Sequence, residues 1–441
     1  MSGRMKDVFR IKSFRLLFAG NLVSEIGNSL YAFAIGLYML DATGSALIAG
    51  LYLAVGALTR VLFAPIAGVL VDKLDRIRII YVTDYIRGLI LLIGIAIILS
   101  GVQVNTILVI LFVMAFLLNA NMAFFGPAVA SGLPDIVGEE HLQKANAANS
   151  LVQSLRSIVG VVAGAVVYSF LGLEWIIIVN AVSFILSGFS EMFIRYRPDF
   201  VRHVLTETSH FDGFKEGLTY IKKRTGLFQM ILLSLLLNFS ITPLFSNGIP
   251  FLFKEVLNRS AFDIALPDVV FSVSMFVSGY VIGSLAIKSI RKTITRGIVT
   301  MTILFSFTAL WFHLIYIEAI SYTLFYIVFN LDMALMAAVL IFVNVPLNTG
   351  LVLAVSPEYR GRVFSTLGAI SSGAIPIALV LGGVILEYGN ITWLGLFCVS
   401  VLLIPTFGMA KNKKAQGLLE SLDEKKQELE AKDLELAEVG A

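Results

Sequence analysis

Apolar runs of about twenty residues or more succeed one another along the chain, each long enough to cross a hydrocarbon layer of ~30 Å. In such a layer every backbone N–H and C=O must bond within its own segment, so each run reads as a helix. The runs lie at about 15–40, 46–71, 79–100, 106–125, 148–170 and 174–195, then 227–253, 269–288, 297–317, 321–346, 363–386 and 391–410. With 58% hydrophobic and only 14% charged residues, too little polar surface remains for a water-soluble globule. The expected fold is all-α and integral to a lipid bilayer, with twelve transmembrane helices. Cys398 is the single cysteine, so neither a disulfide framework nor a cysteine metal site is expected. No Gly-x-x-x-x-Gly-Lys phosphate loop and no nucleophile–base arrangement stands out. Enzymatic activity, a cofactor, a metal and a nucleic-acid partner are therefore not expected.

Basic residues are spread unevenly over the connections. Arg4, Lys6, Arg10, Lys12 and Arg15 precede the first run; Lys73, Arg76 and Arg78 follow the second; Arg195, Arg197, Arg202, Lys215, Lys222, Lys223 and Arg224 follow the sixth. Only Lys254 and Arg259 fall near the alternate connections. The positive-inside rule then puts both termini in the cytoplasm of a cell whose inner (plasma) membrane holds the protein. Met1 to Arg15 lacks a small-residue cleavage site and reads as a retained segment.

A charged connection at 196–226 divides the runs six and six: residues 1–195 form one expected bundle, 227–410 the other, and 411–441 a charged cytoplasmic tail. The loops at 72–78 and 288–296 take corresponding places. The second, with Gly279, Gly283, Lys288, Arg291 and Lys292, keeps glycine and positive charge but no aspartate. Such weak internal symmetry is found in transporters built from two halves. In the tail, Leu422, Leu429 and Leu436 recur every seven residues, and a solvated helix or disordered segment is expected in preference to a coiled coil.

Ionisable groups deep in a bilayer are costly and mark function by default. Glu25 lies ~15 Å from the cytoplasmic end of its span and Arg60 ~17 Å from that of the next. Matching depth suggests that they pair or share a cavity, with Arg156 as an alternative partner for Glu25. Glu25 and Asp332, two residues beyond Asn330, are the candidates for proton coupling. Asn21, Ser24 and Asn28 give the first helix a polar stripe around Glu25. Asn21, Asn28, Arg60, Arg156, Asn238 and Asn330 are the expected lining of a substrate cavity. Span seven, with Asn238, Pro243, Asn247, Gly248 and Pro250, should be broken or bent near its outer half. Asp84 and Arg87, beside the loop Gly68 to Arg76, read as gate residues that exchange salt bridges with Asp72 and Arg76.

Gly68-x-x-x-Asp72-x-x-x-Arg76 resembles the loop signature of the major facilitator superfamily. Its extension Asp72-Lys-Leu-Asp-Arg76, with Asp84-x-x-Arg87, looks like the macrolide-efflux branch of drug:proton antiporters. Three further stretches agree: Leu133-Pro134-Asp135 to Ala145-Asn146, Glu216-Gly217 to Gly226-Leu227-Phe228, and Pro357 to Ser365, where Arg360 and Arg362 flank Gly361 and join the expected cytoplasmic gate. The resemblance, over about residues 10–410, implies two pseudo-symmetric six-helix bundles around one cavity. It also implies an exporter of amphipathic small molecules driven by proton entry; the chain is expected to work as a monomer. Two departures matter: Gly160-Val161 stands where relatives often have Gly-Pro, and Asn28 where they often place an acid. Lysophospholipid and siderophore carriers of the same fold, and a non-transporting receptor, are the alternatives.

Overall fold

The computed structural model describes residues 5–195, 210–284, 289–411, 416–426 and 428. The side chain of Asp72, Lys288, residues 196–209 of the expected connection, and Leu429 and Leu436 lie outside the described residues. The first helices are α1 (Lys12–Thr43), α2 (Ala46–Lys73), α3 (Arg76–Leu99), α4 (Val104–Val137), α5 (Glu139–Leu171) and α6 (Leu173–Glu191). An amphipathic α7 (His210–Lys223) precedes α8 (Gly226–Val256), α9 (Ala261–Ser284), α10 (Ile290–Tyr316), α11 (Tyr322–Ala354), α12 (Arg360–Tyr388) and α13 (Ile391–Lys411). No strand occurs among the described residues.

Eleven of these segments are long and apolar enough to cross a membrane. α1 has the length but is diluted by Asn21, Ser24, Glu25 and Asn28; with it the expected twelve are present, and the protein is an all-α, multi-pass membrane protein. Several helices outrun their apolar runs by one or more turns, α4 and α5 most of all, because polar residues past the hydrocarbon layer continue the helix. α1 stops where Gly44 takes the left-handed conformation (φ 62°), which glycine adopts without a Cβ clash. Ser45 then caps α2, its Oγ accepting from the Ile48 N–H (3.2 Å).

The chain forms two compact units. The first comprises Met1–Thr206 with Ile249–Ser272 and Leu379–Glu387; the second comprises Glu207–Gly248, Val273–Ala378 and Tyr388–Ala441. The first therefore also takes the outer part of α8, the start of α9 and the end of α12.

Within the first unit α6 is the central packing partner, lying on both α1 and α3, while α4 packs on α2 and α3. Small residues make these approaches close, as helix association within lipid requires. A β-carbon at Gly27 would lie 2.3 Å from Ser183 Oγ, one at Gly20 2.7 Å from Ser190 Oγ, and one at Gly88 2.8 Å from Ile185 Cγ1. α5 meets α1 in the same way: a β-carbon at Gly160 would lie 2.4 Å from Ser29 Cβ, and one at Gly164 2.9 Å from the Leu30 carbonyl oxygen. Just before that contact α5 loosens into a π turn at Arg156–Gly160. Further π turns occupy Leu244–Gly248 and Leu252–Val256 of α8. The outer half of α8 is thus irregular, as its two prolines suggested, but it is widened rather than broken.

In the second unit α10 packs on α11 and α13, and α13 on α8. Part of the tail is neither free nor a coiled coil. Residues 416–426 are helical, and Leu419 and Leu422 are buried. Asp423 accepts from Ser289 Oγ (2.5 Å) and from the Ile290 N–H (2.5 Å), so the tail caps the start of α10. Glu420 pairs with Arg291, and Lys425 donates to the Leu353 carbonyl (2.8 Å) near the end of α11.

Candidate functional site

A cavity of about 450 Å³ opens inside the first unit, within the size range of small-molecule sites. Asn28, Arg60 and Arg156 line it, and so do Arg87 and Asp268. The last two were not among the residues expected to form a cavity.

Glu25 is buried beside the cavity and takes Arg156, not Arg60, as its partner, at 2.9 Å between Oε2 and Nη1. The reason lies in the packing. Gly160 and Gly164 bring α5 onto α1 at Ser29 and Leu30, which places Arg156, about one turn earlier, against Glu25. Arg60, although it lines the same cavity as Arg156, forms no ion pair with Glu25. Arg60 has no hydrogen-bond or ion-pair partner among the described residues. Asn21 is buried near Glu25 on α1 and does not line the cavity.

Asp84 and Arg87 do not form the gate contact expected with Arg76. They are buried and bonded to each other, one turn apart on α3. The Arg87 guanidinium lies over the rings of Phe125 (4.3 Å) and Phe184 (4.4 Å), a desolvated cation–π setting. α6 adds Glu191, fully buried, whose Oε1 accepts from Ser187 Oγ (3.3 Å). α6 packs on Asp84 at Gly188, where a β-carbon would lie 3.4 Å from Asp84 Cβ, and so the Asp84 and Glu191 carboxyl groups share one buried cluster. Asp84 Oδ2 and Glu191 Oε2 are buried without a hydrogen-bond partner. Two buried carboxyl groups thus face one arginine, with Glu25 on α1 near enough to add its charge.

Arg76 instead joins Asp135 at the end of α4 (2.8 Å) and donates to the Ser131 carbonyl (3.0 Å). Gly68 lies in the last turns of α2, within the same unit. In the second unit Arg360 donates to the Val355 carbonyl (3.3 Å), and Arg362 pairs with Glu216 of α7 (2.7 Å). Asp332 is buried and accepts from Thr308 Oγ1 (2.6 Å), joining α11 to α10. Asn330 and Asn238 each donate to a carbonyl of their own helix, at Tyr326 and Ser234 (both 2.8 Å). No cluster of metal-ligating side chains occurs among the described residues.

A membrane-embedded helical bundle with a polar cavity and charges buried at its wall defines a transporter rather than an enzyme. Residues 17–353 match the Major Facilitator Superfamily, and the chain belongs to that family. It is 27% identical over 375 residues to macrolide efflux protein A of Streptococcus pyogenes, covering 83% of this chain and 88% of the relative. Macrolide efflux protein A of Enterococcus faecalis is 26% identical over 343 residues, 76% of this chain and the whole of that protein (100%). Among solved structures, a bacterial homologue of the iron transporter ferroportin in an inward-facing state superposes with a TM-score of 0.72 at 15% identity, covering 94% of this chain and 99% of that one. The nucleoside transporter NupG superposes with a TM-score of 0.68 at 13% identity, covering 91% of this chain and all of that one (100%). These two likenesses bear on the fold alone.

Proposed function

We propose that the protein is a secondary active exporter of amphipathic small molecules, working as a monomer by alternating access and in exchange for protons, with both termini in the cytoplasm. The observation that carries this reading is the buried pair of carboxyl groups, Asp84 and Glu191, facing the single guanidinium of Arg87 at the cavity wall. Ionised carboxylates only accept hydrogen bonds, so a bond between these two requires that one of them hold a proton. Arg87 touches both this pair and the cavity. A ligand that draws on Arg87 changes the charge seen by the shared proton, and proton release in turn changes the hold on Arg87. The Glu25–Arg156 pair connects the cavity wall to the same cluster from α1, and Asp332 with Thr308 is a second proton-binding candidate. Gly68, Asp72, Arg76, Arg360 and Arg362 are assigned to the cytoplasmic gate, with the Arg76–Asp135 pair in place of the partners first expected. The similarity to macrolide efflux proteins supports export as the direction.

The test is proton flux in proteoliposomes of the intact protein, with macrolides, siderophores and lysophospholipids added in turn. Flux stimulated by at least one of them, and abolished by Glu191→Gln, is expected. Lipid movement without proton flux would overturn the coupling and favour a lipid carrier.

A further inference from the structure

The charges lining the cavity do not balance locally, and the imbalance has two ends. Arg156 is neutralised from behind by Glu25, and Arg87 by Asp84. Arg60 has no such partner. It sits within α2, is exposed, and lines the cavity together with the like-charged Arg156. Asp268, on α9, lines the same cavity, and no hydrogen bond or ion pair is formed by its carboxylate among the described residues. Arg60 and Asp268 do not reach each other: no salt bridge within 4.0 Å joins them. One guanidinium on α2 and one carboxyl group on α9, neither paired among the described residues, thus line a single chamber.

Unpaired charge inside a low-dielectric bundle is costly, and ionisable groups retained there mark a ligand path. The rest of the wall is mixed, polar groups such as Asn28 and Asn119 standing beside the apolar and aromatic Leu53, Leu118, Phe184 and Phe271. A guanidinium matches a carboxylate in a bidentate, planar fashion, and a carboxylate matches an ammonium group. We propose that this cavity selects small zwitterions: molecules with a carboxylate that docks on Arg60, an ammonium that docks on Asp268, and an apolar frame between them. A dipeptide with two apolar side chains has this chemistry. A ligand with only a basic amine would leave Arg60 unmatched beside Arg156, and a purely anionic one would leave Asp268 unmatched.

The inference rests on the reading of the chain as an exporter, but its test does not require transport. Binding to the purified intact protein in nanodiscs is measured for four probes: an apolar dipeptide, its C-terminal amide, its N-acetyl form, and the doubly blocked neutral form. The dipeptide should bind about 10- to 100-fold more tightly than either singly charged form, the range expected of a charge-assisted hydrogen-bonded contact. Arg60→Gln should bring the dipeptide level with its amide, while Asp268→Asn should bring it level with its N-acetyl form. Arg60→Lys, which keeps the charge, should retain most of the preference and controls for folding. Equal binding of all four probes to the unmodified protein would overturn the proposal. So would an equal loss of all four in Asp268→Asn, which would make Asp268 a general structural or proton-binding group. Selective binding without any export in liposomes would keep the zwitterion site and refute the exporter reading.

Discussion

Replacing Glu191 by glutamine is the sharpest probe of the buried cluster on α3 and α6. If Asp84 and Glu191 share one proton, Glu191→Gln substitutes an amide N–H for the carboxylic O–H of that shared bond. The charge is unchanged and a donor is kept, so stability should fall by only about 1 kcal/mol, the net worth of one altered hydrogen bond. Asp84→Ala is different. It removes the partner of Arg87, whose side chain is 3% exposed, and stranding a buried charge costs about 3–5 kcal/mol. Both variants and the unmodified protein are heated in detergent and the folded fraction followed by size-exclusion chromatography. Asp84→Ala should melt well below the other two. Transport separates them further: Glu191→Gln cannot release its proton, so exchange of substrate for substrate should persist while accumulation driven by a pH gradient disappears. A Glu191→Gln protein as unstable as Asp84→Ala would refute the shared proton. So would one made more stable by over about 1 kcal/mol, since relief of that size means that two ionised carboxylates had been repelling each other.

Three other outcomes follow from particular contacts. Gly164→Ala places a methyl group 2.9 Å from the Leu30 carbonyl oxygen and 3.3 Å from Leu30 Cα; backbone cannot step aside, so a loss of about 1–3 kcal/mol in thermal unfolding is expected. Arg76→Ala breaks a pair whose side chains are 32% and 13% exposed. At most about 1 kcal/mol of stability should go with so accessible a pair, so a large loss of transport rate in liposomes would mark the pair as part of the gate. Asp423→Ala removes the acceptor for Ser289 Oγ and the Ile290 N–H, and limited proteolysis should then cut the tail faster while the melting temperature of the helical bundle changes little.

Helix existence was readable from the sequence because apolar length and backbone satisfaction leave no other solution in lipid. The polar stripe of α1 and the irregular outer half of α8 were readable for the same local reasons. What the sequence conceals is direction around a helix axis. Counting along the spans gives Glu25 and Arg60 matching depths, yet the glycine contact between α5 and α1 hands Glu25 to Arg156. Asp84 and Arg87 sit near the start of an apolar run beside the loop, which reads as a gate; packing of α6 against Gly88 and the residues around it buries them. Glu191 ends its span and so resembles an interfacial residue, and its role emerges only when α6 is laid on α3. Asp268 fell just outside a run read as starting at 269, whereas the helix starts at Ala261 and carries it about two turns inward.

The π turn at Arg156–Gly160 has a genetic consequence. Such a turn holds one residue more than the α turn it replaces, so it is equivalent to a one-residue insertion absorbed without breaking the helix. Loss of a single codon within it would return α5 to regular winding and leave its two flanks nearly in register. With Gly164 still seated on Leu30, Arg156 would stay beside Glu25. A lineage could therefore shorten the gene by one codon at the cavity wall and keep both the helix contact and the ion pair.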